Sequence, residues 1–191
     1  MKKGLLITIG VVALFAIITV FWAIGVSNSE IQIKNTGEAQ QKVCTAFFDK
    51  MWKIIHQDAQ VADQYKDAFA KIYPDLIAGR YSKNDGSLMK WITESNPNFD
   101  TKLYDKLMAA IEGERNGFFV EQEKLIDIDR QHKTMRQIFP SSMIIGSRHN
   151  IGYLADANGK VLKEGITIIT SDVTESAYKS GKENDVDLFK K

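Results

Sequence analysis

Cysteine is nearly missing from this sequence: Cys44 is the only one among 191 residues. It can close no internal disulfide, and it lies too far past the first apolar run to be the lipid-modified first residue of a lipoprotein. Excess charge of one sign is missing too, since 25 Lys and Arg against 24 Asp and Glu leave a net charge of +1. That balance offers no bulk electrostatic footprint for nucleic acid or an acidic substrate, so no nucleic-acid partner is expected. The histidines, His56, His132 and His149, lie far apart, and none forms a close pair such as His-x-x-x-His, so no metal is expected. The glycines come one at a time and build no phosphate-cradling loop, so no cofactor is expected either.

What is present begins with a long apolar run. From Gly4 through Leu5, Leu6, Val11, Leu14, Phe15, Val20, Phe21 and Trp22 to Val26 there is no charge, and the only hydroxyls, Thr8 and Thr19, can bond back to helix carbonyls. At 1.5 Å per residue this is roughly 35 Å of helix, enough to cross a hydrocarbon core of about 30 Å. The competing reading is a cleaved signal peptide, with Lys2 and Lys3 as its basic start and Ala23-x-Gly25 as a cleavage site. Signal h-regions span only about 7–15 residues, so an uncut anchor is expected. Trp22 stands near the far end, where an indole favours the interface. Lys2 and Lys3 precede the run and Lys34 alone follows closely. The positive-inside rule therefore predicts a single-pass protein of an inner or plasma membrane, with residues 1–3 cytoplasmic, 4–26 in the membrane and 27–191 extracytoplasmic.

Residues 27–41 are polar, with little apolar periodicity, and read either as a spacer or as the solvated start of a long helix. From Cys44 a stripe sharpens: Cys44, Phe48, Met51, Ile55, Asp58, Ala62, Tyr65, Phe69, Ile72 and Leu76 alternate four and three apart. Only Asp58 breaks the apolar series, and the 3.5-residue period argues for packing against other long helices. Pro74 predicts a kink or restart near Lys71–Tyr73. Gly79 and Asn84-Asp85-Gly86 supply a turn, Ser87 to Glu94 a short amphipathic helix, and Asn98 or Asp100 a cap for the next one. A second long helix is expected from Thr101 to Phe139, with Tyr104, Ile111, Phe118, Leu125, His132 and Phe139 recurring every seven residues and Leu107, Ile128 and Met135 on the neighbouring row. Glu114 and Glu121 occupy that second row mid-helix, with Gly117 between them. Residues 141–145 add a last apolar turn. Asn158-Gly159 between YLADA and KVLKEG, followed by the β-branched run Ile166 to Thr170, allows a small hairpin or an irregular extension. Residues 171–191 read as a mobile tail.

The fold class expected is therefore all-α: an N-terminal transmembrane helix, an antiparallel long-helix bundle over residues 27–145 as one globular unit, an extension over 146–170 and the tail. Specific residues add a resemblance. Glu114-Arg115-Asn116 followed by FFVEQEKLIDIDRQHKTMRQIFPSS, with its Phe139-Pro140-Ser141 ending, is similar to the closing helix of the LemA family. Ile72-Tyr73-Pro74-Asp75-Leu76 is similar to the proline-containing segment after that family's first long helix, and Asn28 matches an asparagine often found just past its membrane span. Trp52 departs from the pattern, standing about two turns further from Pro74, as if a heptad had been inserted, and the chain from Gly146 onward lies outside it. The resemblance implies fold and topology; the family has no established enzymatic activity and so implies no catalytic residues.

The chemistry-bearing residues have simple readings. His132 on the apolar row reads as a core histidine bonded to a carboxylate. Glu114 and Glu121 share a face but lack the Glu-x-x-His partners of a di-metal bundle, and read as solvated or salt-bridged. Cys44 reads as buried, and Ser141 and Ser142 as helix-end caps. The expected function is a non-catalytic scaffold or interaction protein of the cell envelope, with unidentified envelope protein partners and homo-oligomers both open. The interruption at Glu114, Gly117 and Glu121 is the candidate partner surface. Asp185, Val186, Asp187, Leu188 and Phe189 form a candidate docking tail of acidic-hydrophobic type. The rival readings are a hydrolase or small-ligand-binding domain with a site assembled across helices, and a phage or stress envelope protein that modifies the membrane.

Overall fold

The computed structural model describes residues 2–77, 87–156, 159–169 and 179–181. The protein is all-α, with five helices and one two-stranded sheet among the described residues. Helix α1 runs unbroken from Lys2 to Asp58, 57 residues. The polar stretch 27–41 is thus the start of a long helix and not a spacer. It contains no proline, and the apolar run before it supplies an already nucleated helix, so each added residue needs only propagation. Residues 3–22 all stand exposed. This one helix is long and apolar enough to cross a membrane. The two hydroxyls of its apolar run bond back as expected, Thr8 Oγ1 donating to the Gly4 carbonyl at 3.0 Å and Thr19 Oγ1 to that of Phe15 at 2.9 Å.

The chain divides into two compact units: residues up to Val43 together with Glu121–Thr167, and a unit built on Cys44–Val120. In the second, α1 stops at Asp58, and a 3-10 turn, Asp63–Tyr65, leads into α2, Lys66–Ile77. The expected break at Lys71–Tyr73 is therefore misplaced by more than three turns. Pro74 lies inside α2, whose buried Phe69, Tyr73, Leu76 and Ile77 outweigh one missing amide bond. The real break has no Gly or Pro. Gln60 adopts a left-handed φ of 52° between Ala59 and Val61, both fully buried, while Asn96 Nδ2 donates to the Ala59 carbonyl at 3.0 Å and His56 Nδ1 to that of Val61 at 2.7 Å. Asp58 and Ala62 are exposed, so the stripe ends at Ile55 and resumes at Phe69.

Helix α3 spans Ser87–Ser95, and Asp100 caps the next segment by accepting from the Lys102 amide at 3.0 Å. A 3-10 turn, Thr101–Leu103, then opens α4, Tyr104–Gln137. Tyr104, Ile111 and Phe118 are buried in this unit as their sevenfold spacing predicts, and so are Leu107 and Met108. Phe47 meets Phe118 edge-on at 5.8 Å, and Lys50 lies 3.8 Å from Glu114, so α1 and α4 run antiparallel here.

In the first unit α1 and α4 again run antiparallel: Gln40 Nε2 donates to Glu121 Oε2 at 2.7 Å, while His132 lies 2.9 Å from Glu30. Leu125 and His132 are buried, but Phe139 is 75% exposed, because α4 ends at Gln137 and the sevenfold period lapses with it. Helix α5, Ser142–Ile145, follows. The hairpin forms from β1, Leu154–Ala155, and β2, Val161–Lys163, antiparallel with Leu154 opposite Lys163. Gly159 turns it at φ 79°, and the Lys160 amide donates to Asp156 Oδ1 at 2.8 Å. Ile166 to Ile169 form no strand. The expected turns at Gly79, Asn84-Asp85-Gly86 and Asn158, together with Thr170, lie outside the described residues.

Two glycines, Gly37 on α1 and Gly117 on α4, mark close approaches of other side chains. A Cβ on Gly37 would fall 2.5 Å from Ile151 Cδ1 and 3.0 Å from its Cγ2, whereas one on Gly117 would fall 3.1 Å from Phe47 Cε1. Gly37→Ala is expected to cost about 1–2 kcal/mol net, overpacking against fully buried Ile151 exceeding a helix-propensity gain of up to about 1 kcal/mol. Gly117→Ala should stay within roughly 0.5 kcal/mol of neutral, since the two effects nearly cancel. Urea unfolding in mild detergent reads both; equal shifts for the pair would contradict the packing at Gly37.

Candidate functional site

Counting back by sevens from Cys44 along α1 reaches Gly37 and then Glu30, which is only 1% exposed. Facing it from α4 is His132, fully buried. His132 Nε2 lies 2.9 Å from Glu30 Oε1, and since a carboxylate only accepts, Nε2 donates. Arg148, on the segment after α5, donates from Nη1 to Glu30 Oε2 at 2.5 Å and from Nη2 to Ser27 Oγ at 2.6 Å. Each carboxylate oxygen thus has its own donor, as a buried anion requires.

The neighbouring groups hold the donors in place. Arg136 Nη2 donates to the Gly146 carbonyl at 3.0 Å and Nη1 donates to Asn150 Oδ1, tying α4 to the segment that carries Arg148. Ser141 Oγ lies within hydrogen-bond distance of the Met135 and Ile138 carbonyls, 2.6 and 2.8 Å, which closes the end of α4 in the capping role expected. Lys133 pairs with the nearly buried Asp129 at 2.7 Å. Burial pushes the Glu30 carboxyl up, but the hydrogen bonds from His132 and Arg148 outweigh it and hold it below the ordinary value of 4.5. His132 Nδ1, Asp129 Oδ1 and Arg136 Nε are buried without a hydrogen-bond partner among the described residues.

What this arrangement does is electrostatic. Arg148 stands between Ser27 and Glu30, so the Ser27 hydroxyl is held by a cation rather than activated by a base. The cluster clips the segment after α5 onto α1, with Ser27 the first residue past the apolar run. Among the described residues no group of three or more His, Cys, Asp or Glu is placed to hold a metal ion.

The residues singled out from the sequence fall elsewhere. Glu114 pairs with Lys50, Gly117 receives the edge of Phe47, and Glu121 holds Gln40 and Lys124. The interruption of the stripe is filled from within the chain rather than left open. Cys44 is buried, and burial together with the nearby Cys44 pushes the Tyr73 hydroxyl well above its usual range. His56 stacks on Trp52, and His149 stacks on Tyr153 at 3.7 Å. Asp185, Val186, Asp187, Leu188 and Phe189 lie outside the described residues.

Sequence reasoning missed Glu30, Ser27, Arg136, Arg148 and Asn150. The sevenfold count back from Cys44 was a usable signal for Glu30; Arg148 has none. One cleft of about 310 Å³ is lined by Lys133, Arg136, Gln137, Gly146 and Asn150, beside the cluster, and another of about 210 Å³ by Gln57, Asp58, Gln60, Leu103, Lys106 and Leu107. Neither includes His132. The chain matches no protein-family model, no curated protein and no solved structure.

Proposed function

We propose that this protein is a single-pass, membrane-anchored helical scaffold of the cell envelope, LemA-like in fold and topology, that presents helical surfaces to envelope protein partners rather than catalysing a reaction. The observation that carries this reading is the continuity of α1. The same helix that supplies the exposed apolar run continues to Asp58, and Glu30 and Ser27, within about one turn past that run, clamp the polypeptide after α5. A helix without a hinge at this point holds its domain close against the bilayer, which suits a fixed platform better than a tethered enzyme. The basic start, Lys2 and Lys3, supports a cytoplasmic amino terminus with the domain outside, at a bacterial-type inner membrane. Residues 114–137 of the LemA-like segment lie in α4, which carries His132.

Alkaline carbonate extraction is the direct check. The full-length protein is expected to stay with the membrane pellet, and protease added to intact spheroplasts should cut it to a short anchored remnant. Release of intact protein into the carbonate supernatant would overturn the anchor. Protection of the domain in spheroplasts that becomes digestible only on lysis would reverse the orientation. In-cell crosslinking that captures no envelope protein would remove the scaffold reading.

A further inference from the structure

Three of the large apolar side chains left bare outside the α1 run lie in one short stretch: Ile138 is 55% exposed, Phe139 75% and Met143 78%. Their position along α1 follows from the antiparallel pairing in the same unit. Gln40 meets Glu121, Gly37 lies against Ile128, and Glu30 meets His132, so each step along α4 moves about one residue back along α1. The turn that follows α4 is hydrogen-bonded back onto its end, the Ile138 amide donating to the Thr134 carbonyl at 3.0 Å and that of Ser142 to the Ile138 carbonyl at 2.9 Å. Gln137, the last residue of α4, lies five residues and roughly 7.5 Å beyond His132, which brings it level with the last turn of the apolar run, Ala23–Val26, and Ile138 and Phe139 follow it directly.

Two further observations agree. Along α1, side chains are exposed from residue 3 to Trp22, while Ala23, Val26 and Ser27 are half-buried, so the fold's cover on the helix reaches down to Ala23. Arg148 then pins the far end of the same segment to Ser27. The stretch is thus held at both ends beside the apolar run, with its bulkiest apolar groups facing outward.

We propose that Ile138, Phe139 and Met143 form a second membrane contact, seated in the interfacial layer of the same bilayer that holds α1. This rests on the reading of α1 as a membrane anchor. An aromatic and two flexible or branched aliphatic side chains at that depth exchange water for the boundary between headgroups and acyl chains, where apolar burial is favourable without crossing the bilayer. The contact sets the tilt and rotation of the domain: one helix leaves a domain free to rotate about its axis, and a second point of insertion removes that freedom.

The test uses the full-length protein in a Cys44→Ala background, with single cysteines at Phe139→Cys, Met143→Cys, Ile18→Cys and Glu123→Cys. Each carries an environment-sensitive fluorophore, and each is reconstituted into phosphatidylcholine–phosphatidylglycerol vesicles containing nitroxide-labelled lipid. The four positions are exposed, so labelling leaves the packing intact. Labels at 139 and 143 are expected to emit to the blue and to be quenched by the lipid nitroxide, as is the label at 18. The label at 123, roughly 24 Å earlier along α4, should be neither. Quenching at 18 with water-like emission at 139 and 143 would overturn the contact and leave the anchor standing. Blue-shifted emission at 139 and 143 without quenching would mean that protein covers them, and would overturn it equally. No quenching at 18 would remove the anchor, and this proposal with it.

Discussion

Glu30→Ala is expected to destabilise the unit that contains it by about 3 kcal/mol, the larger of the two effects anticipated from the buried cluster, because it strips the shared acceptor from His132 and Arg148 at once. His132 is fully buried and cannot turn to water, whereas the Arg148 side chain is 35% exposed and recovers part of its hydration, which keeps the cost near the lower end for a broken buried pair. Glu30→Gln keeps the shape and an acceptor oxygen but loses the charge facing Arg148, and should cost about 1–2 kcal/mol. The two variants also separate in acid. Since the folded carboxyl lies below its ordinary 4.5, the cluster contributes its full stability above that value and loses it as pH falls through the lower folded one. Urea midpoints of the natural protein should therefore drop below about pH 4.5 more steeply than those of Glu30→Gln. Equal acid slopes for the two would show that Glu30 is not held as described.

Phe69→Ala should have the largest effect on the unit built on Cys44–Val120, about 3–5 kcal/mol. Phe69 is fully buried at the centre of a group of rings, with centroids 5.4 Å from Phe48, 5.5 Å from Trp52, 5.9 Å from Tyr73 and 6.2 Å from Trp91. Truncation removes the transfer free energy of the ring and leaves a cavity that four rigid side chains cannot close. Phe69→Leu preserves most of the volume and should cost less than about half as much. Trp52 and Trp91 border the cavity, so tryptophan emission follows the loss directly. A midpoint for Phe69→Ala close to that of Phe69→Leu would mean that the cluster is not packed around this ring.

How much of this was legible depends on where each residue's partner lies. The all-α class, the extent of α4, the cap at Asp100 and the turn chemistry at Gly159 came through because they rest on neighbours a few residues away. The reading of His132 as a core histidine on a carboxylate was also correct, although the carboxylate itself stayed hidden. The break in α1 was misread, because a proline is a visible local signal and the true stop has none. Gln60 takes a left-handed backbone because Ala59 and Val61 are buried on either side of it, with Asn96, from 37 residues away, satisfying the Ala59 carbonyl. At Glu114, Gly117 and Glu121 the interruption was seen but not its cause, since Lys50, Phe47 and Gln40 lie on another helix.

The sequence by itself determined an apolar helix from Gly4 to Val26 long enough to cross a bilayer, and the helical character of nearly everything after it. Both follow from hydrogen bonds that close within four residues and from side-chain periodicity along one element. Only the tertiary structure decided that the polar stretch after the apolar run is a packed helix with a buried anion. Glu30 is stabilised by groups 102 and 118 residues away, and a lone glutamate in a polar stretch carries no mark of partners that distant. The free energy that makes its burial tolerable belongs to the assembled cluster and to no segment of it.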